Sequence, residues 1–122
     1  MSEDTFLFDT YALMEIIDKN PNYVKYTEKN IIINDFIFAE LCYNLARDKA
    51  KNSGEITDKL KSAILHAKPE WIKEAMEFRI KWKDRGVSMT DCIGYVMSKK
   101  LEIKFLTGDK EFENLENVEF VK

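Results

Sequence analysis

The segment TFLFDTYALMEII, residues 5–17, contains a strand-like run, an acid and a helix-like pattern in immediate succession. Its first part, TFLFD, is an unbroken apolar run that ends at Asp9 and predicts a short buried strand. Apolar residues then recur at helical spacing, at Ala12, Leu13, Ile16 and Ile17. The segment therefore predicts a buried strand that passes directly into a helix, with a carboxylate at the junction.

The same alternation of strands and helices continues along the chain. Further strands are predicted at residues 31–33, 102–106 and 118–121, and helices at 36–48, 55–65, 70–85 and 88–100. Strands that are unbroken apolar runs are typical of a parallel sheet covered on both faces. At 122 residues the chain is long enough for one core and too short for two. We therefore expect residues 1–122 to form a single three-layer α/β domain, with a four- or five-stranded parallel sheet flanked by helices.

Composition narrows the classes of protein to consider. Hydrophobic residues make up 45% of the chain, yet no apolar run approaches the roughly 20 residues of a membrane span. The segment MSEDTFLFDTYALM is acidic where a secretory signal is positively charged, so we expect a cytoplasmic protein without a membrane partner. Cys42 and Cys92 are too few for a disulfide framework, and the single histidine, His66, excludes a two-histidine metal motif. The net charge of −3 neither supports nor excludes an RNA substrate.

Four acids lie in apolar surroundings rather than on a solvated face: Asp9, Glu40, Asp91 and Asp109. Asp9 ends the first strand, and Asp109 follows the strand at 102–106 within the segment EIKFLTGDKEF. Sites in parallel α/β sheets form outside the carboxyl ends of the strands. We therefore expect Asp9 and Asp109 to be neighbours at that edge of the sheet.

Each acid also has an ordinary structural explanation. Asp9 is a suitable helix N-cap, Ser88-Met89-Thr90-Asp91 fits a capping box, and Asp109 suits a turn or a cap. Glu40 lies in the middle of the apolar segment FIFAELCYNL, where neither a cap nor a turn explains it. A glutamate that reaches solvent from the edge of the core is the alternative there.

A divalent cation would explain the four acids together. Buried carboxylates are costly without partners, and carboxylates that lie close together oppose each other's ionisation. Mg²⁺ or Mn²⁺ takes oxygen ligands and resolves both problems, and such an ion can activate water for attack on a phosphodiester. The hydroxyls of Thr10 and Thr107 are placed to orient a ligand or a bound water. The residues alone thus favour a carboxylate metal site, with capping as the competing explanation.

Four segments carry a resemblance to a known family: FLFDTYALMEII, FIFAELCYNLAR, GVSMTDCIGYVMSKKLEIKFLTGDKEF and VEFVK. In length and element order the chain resembles a PIN-domain nuclease of the VapC toxin type, most weakly across residues 49–68. The positions that match the family's acids are Asp9, Glu40 and Asp91, with Asp109 as the fourth acid and Thr107 as the hydroxyl before it. The resemblance implies an endoribonuclease that depends on Mg²⁺ or Mn²⁺. It also implies frequent homodimers and a small antitoxin that occludes the site.

Two positions depart from the family pattern. Glu111 stands where relatives often carry a further aspartate, and Tyr11 is bulkier than the small residue common at its position, which would narrow the site entrance. Candidates for substrate contacts are Thr10, Asn44, Arg79 and Lys83, and a solvated helix face is the alternative role for the two basic residues. A helical stripe consists of Trp71, Ala75, Phe78 and Trp82. Its default meaning is core packing, and its alternative meaning is a dimer or antitoxin interface.

The function expected from these features is metal-dependent hydrolysis of RNA phosphodiester bonds by the toxin of a type II toxin–antitoxin pair. In this hypothesis Asp9, Glu40 and Asp91 hold the cation, and Asp109 completes the site or orients the water. One alternative is a nuclease of the same fold that acts in RNA processing or repair without an antitoxin. Another is a non-catalytic metal- or RNA-binding module, in which the acids are caps or hold a structural cation.

Overall fold

The computed structural model describes residues 3–122, apart from the side chain of Lys83. Within this range the strands are β1 (Thr5–Phe8), β2 (Asn30–Ile32), β3 (Lys104–Thr107) and β4 (Val118–Phe120). The α-helices are α1 (Thr10–Ile17), α2 (Asp35–Arg47), α3 (Ser53–Leu60), α4 (Pro69–Lys81) and α5 (Met89–Lys100). Short 3₁₀ segments lie at Pro21–Glu28, Lys61–Ala63, Lys83–Arg85 and Lys110–Phe112.

The four strands form one parallel sheet in the order β2-β1-β3-β4. The central pair is β1 and β3, in which Leu7 lies opposite Phe105. The chain leaves β1 toward β2 on one side and returns to β3 on the other, so the strand order reverses between the central strands. Such a reversal leaves a crevice at the carboxyl ends of those strands, where α/β proteins bind ligands. The predicted parallel α/β domain is confirmed, with four strands.

The core explains why the central strands are unbroken apolar runs. Leu7, Phe8, Phe105 and Leu106 are each fully buried, because helices cover the sheet. Residues 92–98 of α5 are all buried, since α5 packs against both β3 and α4. Gly94 allows this close approach, because a β-carbon at that position would lie 3.0 Å from the ring of Phe105.

Three element boundaries differ from the sequence predictions. The predicted helix at 55–65 ends at Leu60, and Ile64 instead forms a parallel bridge with Ile33. The last strand before the acidic loop begins at Lys104 because Glu102, with φ of 58°, ends α5 in a left-handed turn. The helix predicted to reach residue 85 ends at Lys81 and is followed by a 3₁₀ turn. None of the helices in residues 3–122 combines the length and apolar character needed to cross a membrane.

Candidate active site

Asp9 occupies the junction between β1 and α1. Its backbone N–H donates to the carbonyl of Leu106 at 3.1 Å, which continues the pairing of β1 with β3. Its Oδ1 accepts a hydrogen bond of 2.8 Å from the backbone N–H of Ala12 and so caps α1. With 2% of its surface exposed, Asp9 is held rigidly at the edge of the sheet by the strand–acid–helix segment.

Thr107 connects Asp9 to the acidic loop that follows β3. The hydroxyl of this fully buried residue donates to Oδ2 of Asp9 at 2.5 Å. The hydroxyl oxygen of Thr107 also accepts a hydrogen bond of 2.9 Å from the backbone N–H of Asp109. Asp109 in turn caps the short 3₁₀ segment at Lys110–Phe112, since its Oδ1 accepts from the backbone N–H of Glu111 at 3.0 Å. Asp9 and Asp109 are therefore linked through one hydroxyl.

Glu40 reaches the site from α2. The N-cap of this helix is Asn34, whose buried side chain accepts a hydrogen bond of 2.8 Å from the backbone N–H of Ile37. One face of the helix packs into the core, and the half-buried Glu40 projects toward α1. There its Oε1 accepts a hydrogen bond of 2.6 Å from the hydroxyl of Thr10. Thr10 thus orients the carboxylate of Glu40.

Asp91 comes from the first turn of α5. Ser88 caps this helix, and its Oγ accepts a hydrogen bond of 3.0 Å from the backbone N–H of Asp91. The predicted cap therefore forms. It fixes the helix start and leaves the half-buried carboxylate at the pocket.

These side chains line one open pocket of about 700 Å³. Its lining comprises Asp9, Thr10, Tyr11, Glu40, Tyr43, Asn44, Ser88, Asp91, Gly108, Asp109, Lys110 and Lys122. All four sequence-predicted acids are present, although they come from four separate elements. The pocket lies at the carboxyl ends of the two central strands, where the strand order reverses.

The acids influence one another electrostatically. Burial raises the pKa of Asp9 from 3.8 to about 8, although the hydrogen bonds from Thr107 and Ala12 oppose the shift. Burial likewise raises the pKa of Asp91 to about 6, with Ser88 opposing the shift and the charges of Asp109 and Glu40 reinforcing it. Negative charge is therefore unfavourable here without a cation, which is the electrostatic setting that a divalent metal relieves.

The donor chemistry of the pocket suits Mg²⁺ or Mn²⁺, because both cations prefer carboxylate oxygens. Within residues 3–122, no three acidic, histidine or cysteine side chains are arranged to hold an ion as they stand. Both oxygens of Asp9 and one oxygen each of Glu40 and Asp109 already accept hydrogen bonds. Each of these oxygens has a second lone pair, so the same carboxylates could keep these hydrogen bonds while a small movement of the side chains brings them around an ion.

The proposed substrate contacts lie in different places. Thr10 and Asn44 line the pocket. Arg79 is not part of that lining. Its Nε donates to the carbonyl of Val87 at 3.1 Å, and it borders a neighbouring cavity of about 530 Å³. The side chain of Lys83 lies outside the described part of the structure. Glu111 is also absent from the pocket lining and contributes only its backbone N–H to Asp109.

The residues of the pocket wall that sequence reasoning did not assign to the site include Tyr43, Lys110 and Lys122. Tyr43 follows Glu40 by three positions, so helical spacing alone could have placed it on the same face. Lys110 is adjacent to Asp109, but nothing in the sequence places Lys122 near the acids. Tyr11, predicted to narrow the entrance, does line the pocket.

The sequence was compared with models of known protein families and with curated protein sequences. The sequence matches the PIN domain family over residues 6–118. No curated protein sequence gives a significant match to the chain.

Solved structures share the fold over nearly the whole chain. VapC20 from Mycobacterium tuberculosis, a sarcin-ricin loop cleaving toxin, has a TM-score of 0.80 at 14% identity and covers 96% of this chain and 99% of that chain. A toxin–antitoxin complex from Klebsiella pneumoniae has a TM-score of 0.75 at 15% identity, with 93% and 94% covered. VapBC2 from Rickettsia felis, bound to a DNA fragment from its promoter, has a TM-score of 0.71 at 21% identity, with 95% and 96% covered. At these identities the likeness establishes the fold alone.

Proposed function

We propose, because the chain belongs to the PIN domain family, that it is a divalent-metal-dependent endoribonuclease and the toxin of a type II toxin–antitoxin pair. The observation that carries this proposal is the meeting of four acids from four elements in one open pocket. Capping alone does not require Glu40, which lies in the middle of a helix, to share a pocket with the other three acids.

The proposed roles follow from where each group lies. Asp9, Glu40 and Asp91 hold the cation, and Asp109 completes the site or orients the attacking water. A bound Mg²⁺ or Mn²⁺ supplies activation of water and stabilisation of negative charge on the phosphodiester. Thr107 keeps the Asp9 carboxylate in one orientation through its 2.5 Å hydrogen bond. Lys110 and Lys122, which line the same pocket, offer positive charge to the RNA backbone.

The partners belong to the same proposal. Solved structures with this fold include a toxin–antitoxin complex and VapBC2 bound to promoter DNA, which supports a small antitoxin protein that covers the site. A homodimer is the proposed assembly, and the cytoplasm is the compartment in which RNA cleavage would act.

The decisive experiment combines metal binding with RNA cleavage. The purified protein would be titrated with Mn²⁺ and Mg²⁺ by calorimetry and incubated with structured RNA, with and without EDTA. The wild type should bind metal and cleave RNA, whereas Asp91→Asn should lose both activities. Asp84→Asn is the matched control, because Asp84 is exposed and lies outside the pocket lining.

The other outcomes separate the alternatives. Metal binding by the wild type without cleavage of any RNA would support a non-catalytic module. Cleavage that persists in EDTA, or in Asp91→Asn, would reject the proposed mechanism. If the protein cleaves RNA and no small protein encoded beside it inhibits the cleavage, a processing or repair nuclease would be favoured.

A further inference from the structure

Tyr43 is an exposed aromatic residue on the wall of the acidic pocket. Its side chain is 66% exposed, and the residue lines the pocket together with Glu40 and Asn44. The other exposed large apolar residues in residues 3–122 are Val24, Phe36, Leu65, Ile80 and Met89, and none of them belongs to this lining. An aromatic ring left in water at the edge of a site costs free energy that a ligand can recover.

The position of Tyr43 relative to the acids is set by α2. Tyr43 and Asn44 follow Glu40 by three and four positions, which places the β-carbon of each about 5–6 Å from that of Glu40. Nucleotides along one strand of a B-form duplex are about 3.4 Å apart, so this spacing corresponds to one or two nucleotides. A nucleotide next to a phosphate at the proposed cation site is therefore within reach of the ring.

The guanidinium group of Arg47 lies over one face of the Tyr43 ring. Its guanidinium carbon lies 5.7 Å from the centroid of the Tyr43 ring. The Nε of Arg47 is in turn paired with Asp48 at 2.9 Å. A cation over one face of a tyrosine is attracted to the ring, and the high exposure of the side chain leaves ring surface for a ligand.

We propose that Tyr43 is a stacking platform for an unpaired nucleobase next to the scissile phosphate. This inference rests on the proposed ribonuclease function and assigns it a substrate class, RNA in which that base is unstacked, as in a loop or single strand. Every base offers a π-face, and stacking on aromatic side chains is a general way to hold single-stranded RNA. Lys110 and Lys122, also on the pocket lining, supply charge for the adjoining backbone. Tyr43 acts on substrate affinity, and the acids act on the chemical step.

The first test separates affinity from chemistry. Single-turnover cleavage of a single-stranded RNA would be measured over a range of protein concentrations. Tyr43→Ala should raise the half-saturating protein concentration by between about 5-fold and 100-fold, the range expected for loss of one stacked base. The maximal rate should change little, metal affinity should be unchanged, and Tyr43→Phe should restore tight binding. Phe36→Ala is the control, because Phe36 is an exposed aromatic on the same helix outside the pocket lining.

A second measurement identifies the stacked nucleotide. RNA substrates would each lack one base near the cleavage site. For the wild type, one abasic position should weaken binding as much as Tyr43→Ala does, and the variant should be insensitive to the same lesion. Additive losses at every position would overturn the stacking contact.

Different results would reject the stacking role of Tyr43 and the proposed ribonuclease function. If the wild type cleaves RNA but Tyr43→Ala binds it equally well, or Phe36→Ala shows the same loss, the stacking role is wrong and the nuclease proposal stands. In that case a protein partner is the better explanation for the exposed ring. If the wild type cleaves no RNA, the proposed function fails and the stacking role fails with it.

Discussion

Replacing Asp9 with asparagine should remove most of the dependence of stability on pH that the metal-free protein shows between pH 6 and pH 8. In the folded state, burial raises the pKa of Asp9 from 3.8 to about 8. The folded protein therefore binds this proton more tightly than the unfolded chain. The resulting stability is complete below pH 3.8 and is lost as pH rises through about 8.

The size of the effect follows from the two pKa values. Between them, each pH unit lowers the free energy of unfolding by about 1.4 kcal/mol. From pH 6 to pH 8 the loss from Asp9 amounts to about 2 kcal/mol, because the slope flattens as pH approaches the folded pKa. Such a change is readily measured in a domain whose total stability is about 5–15 kcal/mol. An asparagine oxygen can still accept the capping hydrogen bond from Ala12, so the helix start is preserved.

The assay is urea unfolding in EDTA at pH 6, 7 and 8, followed by the fluorescence of the half-buried Trp71 and Trp82. Asp91→Asn is the matched control, because the pKa of Asp91 is about 6 and most of its contribution is lost below that pH. The control should therefore keep nearly the whole wild-type dependence between pH 6 and pH 8. Parallel stability curves for the wild type and Asp9→Asn would refute the assignment of the raised pKa to Asp9.

Two further predictions test the cation and the loop that follows β3. At pH 8, saturating Mn²⁺ or Mg²⁺ should stabilise the wild type by about 2.7 kcal/mol at 100 times the dissociation constant. Thermal unfolding should show little of this gain in Asp91→Asn, and equal gains in both proteins would argue against the pocket as the metal site. Gly108→Ala should destabilise the fold by about 1–3 kcal/mol, because its β-carbon would collide with the Tyr11 ring and the Val121 carbonyl. Gly54→Ala, with open space around the new methyl group, should be neutral or mildly stabilising in the same urea titration.

The fold was easiest to predict from the sequence at the central strands, because both faces of these strands are buried and burial restricts the residue types there. The runs around Leu7 and Phe105 had to be apolar throughout because helices cover the sheet, and this made the parallel strands predictable. The acids were predictable for the same reason, since a carboxylate that interrupts or directly follows such a run needs an explanation. Ile64 was wrongly predicted to lie in a helix. Its apolar side chain fits a helical stripe as well as it fits the parallel bridge that Ile64 forms with Ile33.

The rest of the site depends on packing that periodicity does not reveal. Lys122 reaches the pocket only because the C-terminal segment passes beside α1, where its ammonium lies 5.8 Å from the centroid of the Tyr11 ring. The hydrogen bond from Nε of Arg79 to the carbonyl of Val87 could not be read from the helical spacing that suggested Arg79 as a substrate contact. The exposure of Tyr43 was likewise not readable from the sequence, since tyrosine at helical spacing is as common in cores as at surfaces.

Capping and metal binding were alternative explanations of the acids in the sequence, yet the structure makes them compatible. Asp9 accepts the N–H of Ala12, and Asp109 accepts the N–H of Glu111. Each of these bonds compensates part of the cost of a carboxylate in a poorly solvated position, and each also fixes the carboxylate in direction. The compensation is incomplete, because the pKa of Asp9 remains raised to about 8 in spite of its hydrogen bonds. A fold that needed only a cap could have used serine or asparagine at position 9 without that penalty. The remaining electrostatic cost is therefore a second physical argument for the proposed cation, beside the meeting of the four acids in one pocket.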